Sequence, residues 1–87
     1  MSQPQVTVYL TGWCPYCNRA KDLLTRKNVV INEINVDDEP QFREEMIARS
    51  KRRTVPQIFI GEKHVGGCDD LFALEESGEL DRLIQGA

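Results

Sequence analysis

The sequence predicts an α/β domain in which a mixed four-stranded sheet carries helices on both faces. Three observations lead there. Apolar residues switch along the chain between a period of two and a period of three to four, so strands alternate with helices. Two strand-like runs in the first half are separated by a helix-like run, the arrangement of a right-handed parallel crossover. In the second half, Gln57-Ile58-Phe59-Ile60 and His64-Val65-Gly66 are separated by three residues, Gly61-Glu62-Lys63, the arrangement of an antiparallel hairpin.

The elements follow in order. Val6-Thr7-Val8-Tyr9-Leu10 alternates apolar and mixed residues and reads as a strand. Thr11-Gly12-Trp13 is a loop. Cys14 and Pro15 open a helix, because proline suits the first helical position, where its missing N–H is not needed. Ala20, Leu23 and Leu24 form the apolar face of that helix, and Asn28 ends it. Val30, Ile34 and Val36 are expected on one face of a second strand. Asp37-Asp38-Glu39-Pro40 begins another helix, with acids at the positive end of its dipole, and Phe42, Met46 and Ala48-Arg49 continue it. Lys51-Arg52-Arg53 is basic and polar. After the hairpin, Asp69 starts a helix through Leu71, Leu74 and Glu75, and Ser77-Gly78 breaks it. Leu80, Leu83 and Ile84 supply a last amphipathic turn or two. The order β-α-β-α-β-β-α uses every element in one layered architecture.

At 87 residues the chain is expected to form one domain, 1–87, around one core. Hydrophobic residues at 40% and charged residues at 29% suit a globular protein. A net charge of −3 and a pI near 5.1 argue against nucleic acid as the partner, since phosphate binding needs a large basic surface. Met1-Ser2-Gln3-Pro4-Gln5 lacks the basic cluster and apolar run of a signal peptide. The apolar stretch Val29 to Ile31 is far too short to span a bilayer. No membrane association and a cytoplasmic location are therefore expected. Three cysteines, few and odd in number, do not make the disulfide framework of a secreted scaffold.

Chemistry concentrates in Cys14-Pro15-Tyr16-Cys17, between a strand and a helix of a βαβ unit, the setting of a thioredoxin-like redox motif. The reactive species of a cysteine is its thiolate, and an unperturbed thiol near pH 7 is mostly protonated. At the helix N-cap, Cys14 faces unpaired backbone N–H groups and the positive end of the dipole, which favour the thiolate. Cys17 lies one turn in, close enough to close a disulfide. Cys14 is thus the expected nucleophile, and Cys17 the thiol that resolves the mixed disulfide. Two other readings compete. A C-x-x-C pair is also half of a zinc site, with Cys68 and His64 as the remaining candidates, but such pairs usually sit on knuckle-like turns rather than at a helix opened by proline. A purely structural disulfide does not suit a cytosolic chain.

The chain resembles the short bacterial dithiol glutaredoxins over nearly its whole length, from about Val6 to Ile84. Three blocks carry the resemblance: Cys14-Pro15-Tyr16-Cys17, Thr54-Val55-Pro56 and Gly66-Gly67-Cys68-Asp69-Asp70. The resemblance implies a thioredoxin-like fold, a cis Pro56 facing Cys14, and glutathione as reducing co-substrate with no bound cofactor and no metal. It implies that the Val55 backbone pairs with the cysteinyl part of glutathione like an added strand. Gly66-Gly67 permits close backbone approach, and the helix start at Cys68 and Asp69 can hold the γ-glutamyl carboxylate. The Asp69 side chain would then meet the neighbouring ammonium; alternatively Asp69 is a helix N-cap, and the two roles are compatible. Tyr16, Thr54 and Gly67 complete the implied glutathione site.

One departure stands out. Many glutaredoxins carry a lysine three residues before the first active-site cysteine, where it meets the glycine carboxylate. Here that residue is Thr11, which can donate one hydrogen bond but brings no charge. Arg52 matches another family position for the same carboxylate, with Arg53 as a neighbouring reserve. The alternative for Lys51-Arg52-Arg53 is a solvated charge run. Cys68 reads as a small residue packed beside the site, with glutathionylation as the rival role. Trp13 is expected to shield the active-site rim, and His64 to lie on the surface.

The expected activity is reduction of protein disulfides and of glutathionylated proteins by a monomer. Two rival functions remain: a thioredoxin-like enzyme served by a flavoprotein reductase, and an iron–sulfur carrier that holds a cluster between two subunits. The second is commonest among monothiol relatives, which have serine where this chain has Cys17 and glycine where it has Pro15.

Overall fold

The central strand is β1, Val6–Leu10, and every one of its residues is buried. It lies between β2 (Ile31–Asn35), which runs parallel to it, and β3 (Gln57–Ile60), which runs antiparallel; β4 (Lys63–Gly66) pairs with β3. The sheet order is β2-β1-β3-β4. These descriptions come from a computed structural model covering residues 4–86. Met1, Ser2 and Gln3, part of the N-terminal segment read above, and Ala87 lie outside the described residues.

Side chains alternate across a strand, so β1 and β3 each serve two layers. Val6, Val8, Leu10, Ile58 and Ile60 face one layer. That layer is closed by α1 (Pro15–Arg26), α3 (Cys68–Ser77) and α4 (Glu79–Gln85), through Ala20, Leu23, Leu24, Leu71, Leu80 and Ile84. Cys14 and Cys17 belong to the same cluster. Tyr9 and Phe59 face the other layer, where they pack with Val36 and with Met46 of α2 (Pro40–Ser50). The Tyr9 hydroxyl bonds Glu45 and accepts from Arg49 Nη1 at 2.9 Å, while the Arg49 guanidinium lies 4.1 Å from the centre of the Phe59 ring. Burial raises the Tyr9 pKa, and Glu45 adds to it.

The predicted architecture is present, with four local differences. Val30 precedes β2 and is 91% exposed, instead of sharing a face with Ile34 and Val36. Both faces of the sheet are covered, so Val29 and Ile31 pack toward the α1 layer while Ile34 and Val36 pack toward α2. The hairpin connection is two residues long, Gly61-Glu62, with Gly61 at φ +60° where glycine is favoured. The third helix begins at Cys68 rather than Asp69, because Gly67 is its N-cap. The terminal turn is a separate helix, α4, started by Gly78 at φ +83°.

Helix ends place the site. α1 ends where expected, with Asn28 in the left-handed region at φ +62°. At the end of α2, the buried Ser50 hydroxyl donates to the Met46 carbonyl at 2.6 Å and accepts from the Arg52 N–H at 3.0 Å. This turns the chain from α2 into the segment that carries Arg52 to Pro56.

Candidate active site

Cys14 is the N-cap of α1, in extended conformation, followed by Pro15 in the first turn. Its Sγ accepts from the Cys17 N–H at 3.1 Å. No acidic side chain occupies the first turn of α1, so nothing there opposes the positive end of the helix. A negative charge on Cys14 Sγ is stabilised by that donor and that dipole. Cys14 and Cys17 are joined as a disulfide with Cα atoms 5.1 Å apart, inside the range such a bridge requires. The two are not equivalent: Cys14 is 9% exposed and Cys17 only 1%. A substrate sulfur approaching from solvent meets Cys14 first.

Beside the pair lies a cleft of about 230 Å³. Tyr16, from the middle of the cysteine motif, forms part of its wall, 58% exposed. The segment before β3 contributes Arg52, Thr54, Val55 and Pro56, and the Val55–Pro56 bond is cis. The start of α3 contributes Gly67, Cys68, Asp69 and Asp70. The eight residues expected at a glutathione site thus line one cleft. Thr11 and Arg53 are not among its lining residues. Val55 packs against the core cluster that holds Cys14 and Cys17, and a Cβ at Gly67 would sit 3.6 Å from the Pro56 carbonyl oxygen. The α3 start therefore lies against the Pro56 segment, close enough that a Cβ at Gly67 would be in ordinary contact with it.

Asp70 is the residue that sequence reasoning passed over. Its Oδ2 accepts from the Gly67 N–H at 2.9 Å and from Arg52 Nη1 at 3.1 Å. Asp70, not Asp69, is the side chain that caps α3. The signal was legible, since an acid three residues after the N-cap is the position of a reaching-back cap. Asp69 is left exposed at the cleft. The Gly67 amide, and then Arg52, hold the Asp70 carboxyl below its ordinary range.

That depression fixes the sign of a pH effect. A carboxyl with a folded pKa below its unfolded value adds stability above the unfolded value and loses it as pH falls through the folded one. Asp70→Asn should therefore flatten the acid limb of the stability profile below about pH 4. Thermal melts between pH 2 and 7 check this, and an unchanged acid limb would count against the assignment.

The other expected positions divide. Cys68 is a free, buried thiol whose pKa burial pushes up, an environment that keeps it protonated. Trp13 is 86% exposed, so it stands out from the rim and covers little. His64 is half-buried, not on the surface as expected: it stacks on Phe59, and its Nε2 lies 2.7 Å from Gln57 Oε1. Burial, and then the Arg52 charge, lower its pKa. Among the described residues, no group of three His, Cys, Asp or Glu side chains is placed to hold a metal ion, so Cys68 and His64 do not join the cysteine pair in a cluster.

A thioredoxin-like sheet with a C-x-x-C pair at a helix start defines a thiol–disulfide oxidoreductase. The glutaredoxin family model matches residues 6–65. A glutaredoxin of Pseudomonas aeruginosa is 57% identical over 81 residues, covering 93% of this chain and 96% of that one. The solution structure of a Brucella melitensis glutaredoxin is 54% identical with a TM-score of 0.85, covering 98% of this chain and 92% of the other. A buckwheat glutaredoxin crystallised as its glutathione complex is 30% identical with a TM-score of 0.87, covering 97% of this chain and 78% of the other. The chain belongs to the glutaredoxin family, and it is a glutathione-dependent thiol–disulfide oxidoreductase.

Proposed function

We propose that this chain, acting as a single-domain monomer in the cytoplasm, reduces glutathionylated proteins and protein disulfides with glutathione seated in the cleft beside Cys14. The observation that carries the reading is the convergence of Tyr16, the Val55–Pro56 segment and the α3 start on one cleft next to the redox pair. The glutathione complex of the buckwheat relative supports it.

Each part of the ligand has a matching group. The Val55 backbone offers an edge to which an extended peptide adds as a strand. The first-turn amides of α3 have no carbonyl partners within the helix and suit the γ-glutamyl carboxylate. Asp69 and Asp70 suit its ammonium. Arg52 suits the glycine carboxylate, although its guanidinium is already tied to Asp70, so the acid holds the arginine over the cleft while leaving other N–H groups to bind. Thr11 adds no charge there.

The reaction is two exchanges. The Cys14 thiolate attacks the glutathione sulfur of a glutathionylated protein, the protein thiolate leaves, and glutathione stays on Cys14. A second glutathione thiolate then attacks that sulfur, releases glutathione disulfide and regenerates Cys14. With a protein disulfide, Cys14 holds the protein until Cys17 displaces it, and two glutathiones reduce the resulting Cys14–Cys17 bridge. A coupled assay with a small mixed disulfide tests the reading. Turnover is expected with glutathione and glutathione reductase; turnover with thioredoxin reductase alone would overturn it.

A further inference from the structure

Behind the cleft, Gln57 of β3 is wholly buried although polar. Its Nε2 donates to the Thr54 carbonyl at 3.0 Å and to Thr54 Oγ1 at 3.1 Å, while its Oε1 faces His64 Nε2 at 2.7 Å. The directions of these bonds follow from chemistry. A backbone carbonyl only accepts, so the NH₂ end of Gln57 must face Thr54. The amide oxygen also only accepts, so His64 carries its proton on Nε2, in its neutral or its cationic form. Thr54 Oγ1 then accepts a hydrogen bond from the Gln57 amide, and its own O–H is left to donate elsewhere. Thr54 is exposed and lines the cleft. The base of this chain is rigid: the His64 ring stacks on Phe59 at 4.9 Å, and Arg49 covers Phe59.

We propose that His64 and Gln57 are positioning residues which fix the Thr54 hydroxyl as a hydrogen-bond donor to an acceptor oxygen of the ligand in the cleft. The inference rests on the cleft being the glutathione seat. With one lone pair of Oγ1 taken by Gln57, the Thr54 O–H is free to point into the cleft, which favours a carbonyl or carboxylate oxygen at that point, so the device is one of specificity rather than of bond-making.

The test is glutathione-coupled turnover of a small mixed disulfide by the full chain, with glutathione varied. Thr54→Val should raise KM for glutathione about tenfold, the loss falling on KM rather than kcat, and Thr54→Ser should recover most of it. Gln57→Glu puts an acceptor where an N–H stood, so the Thr54 O–H turns inward and KM rises by a similar factor. Both changes act through one bond. The double variant Thr54→Val/Gln57→Glu should therefore show the KM of Thr54→Val alone. KM effects that multiply in the double variant, or an unaltered KM in Thr54→Val, would overturn the proposal. If Gln57→Glu does not fold, His64→Phe replaces it in the cycle, since it keeps a ring on Phe59 and removes the Nε2 donor to Gln57 Oε1. KM should then rise in the unsubstituted chain and not in Thr54→Val, and a rise of equal factor in both backgrounds would overturn the proposal. Absence of any turnover of the unsubstituted chain with glutathione would instead overturn the reading of the cleft.

Discussion

Replacing Cys14 by serine should abolish disulfide exchange, a loss on the order of a thousandfold or more, while Cys17→Ser should keep reducing glutathione mixed disulfides. The difference follows from position. Cys14 Sγ sits at the N-cap and accepts the Cys17 N–H, so the helix start lowers the energy of its thiolate. A serine hydroxyl at that place stays protonated and attacks no sulfur. Cys17 is 1% exposed and one turn inside, so it meets no substrate, but its thiolate can attack the Cys14 sulfur of a mixed disulfide and release the substrate thiolate. Glutathione can do its work on a glutathionylated Cys14, because the leaving group there is small and the cleft admits a second thiol. It does so poorly when Cys14 is tied to a whole protein. Cys17→Ser should therefore lose most activity toward intramolecular protein disulfides while retaining activity on a glutathionylated peptide. Initial rates of both variants on both substrates check this. Equal loss in both variants on the glutathionylated peptide would overturn the assignment of nucleophile and resolving thiol.

The cysteine pair was legible in the sequence because its chemistry is local. Four residues, a strand before and a helix after suffice to place Cys14 at a helix start, and Pro15 marks that start. The hairpin and the central strand were legible for a similar reason, since their periods are written over short runs. Val30 was misplaced because a strand covered on both faces does not alternate cleanly, and a valine on its flank looks like a continuation. α4 was read as a turn or two because it is seven residues long and its separation from α3 depends on one glycine, Gly78. The Arg52–Asp70 and Gln57–His64 pairs have no local signal, unlike the capping role of Asp70. Arg52 and Asp70 are 18 positions apart, and Gln57 meets His64 only through the pairing of β3 with β4. Such contacts exist only once the sheet has formed. The cleft is built from three segments that each carry a local signal, but the bonds that hold those segments to one another carry none.

Gly66→Ala should destabilise the fold by about 2–3 kcal/mol, because it meets two independent penalties at the junction of β4 and α3. The first is backbone conformation. Gly66 has φ +118°, outside the regions open to residues with a Cβ. The second is steric. A Cβ there would come within 3.0 Å of Asp70 Cβ and within 2.8 Å of its Cγ, and would overlap the carboxylate oxygen that bonds Gly67 and Arg52. The aspartate can swing aside, but only by leaving both partners. The melting temperature should fall by roughly 10–20 °C, and KM for glutathione should rise as Arg52 and the α3 start lose their shared anchor. The penalties can be separated. In an Asp70→Ala background the steric one is already gone, so Gly66→Ala should cost less there than in the unsubstituted chain. Equal costs in the two backgrounds would mean that backbone conformation alone requires glycine. A melting temperature unchanged by Gly66→Ala would show that the junction is looser than its geometry implies. The glycine pair of the third motif thus divides its work: Gly67 is the N-cap whose N–H the Asp70 carboxylate accepts, and Gly66 leaves room for that carboxylate.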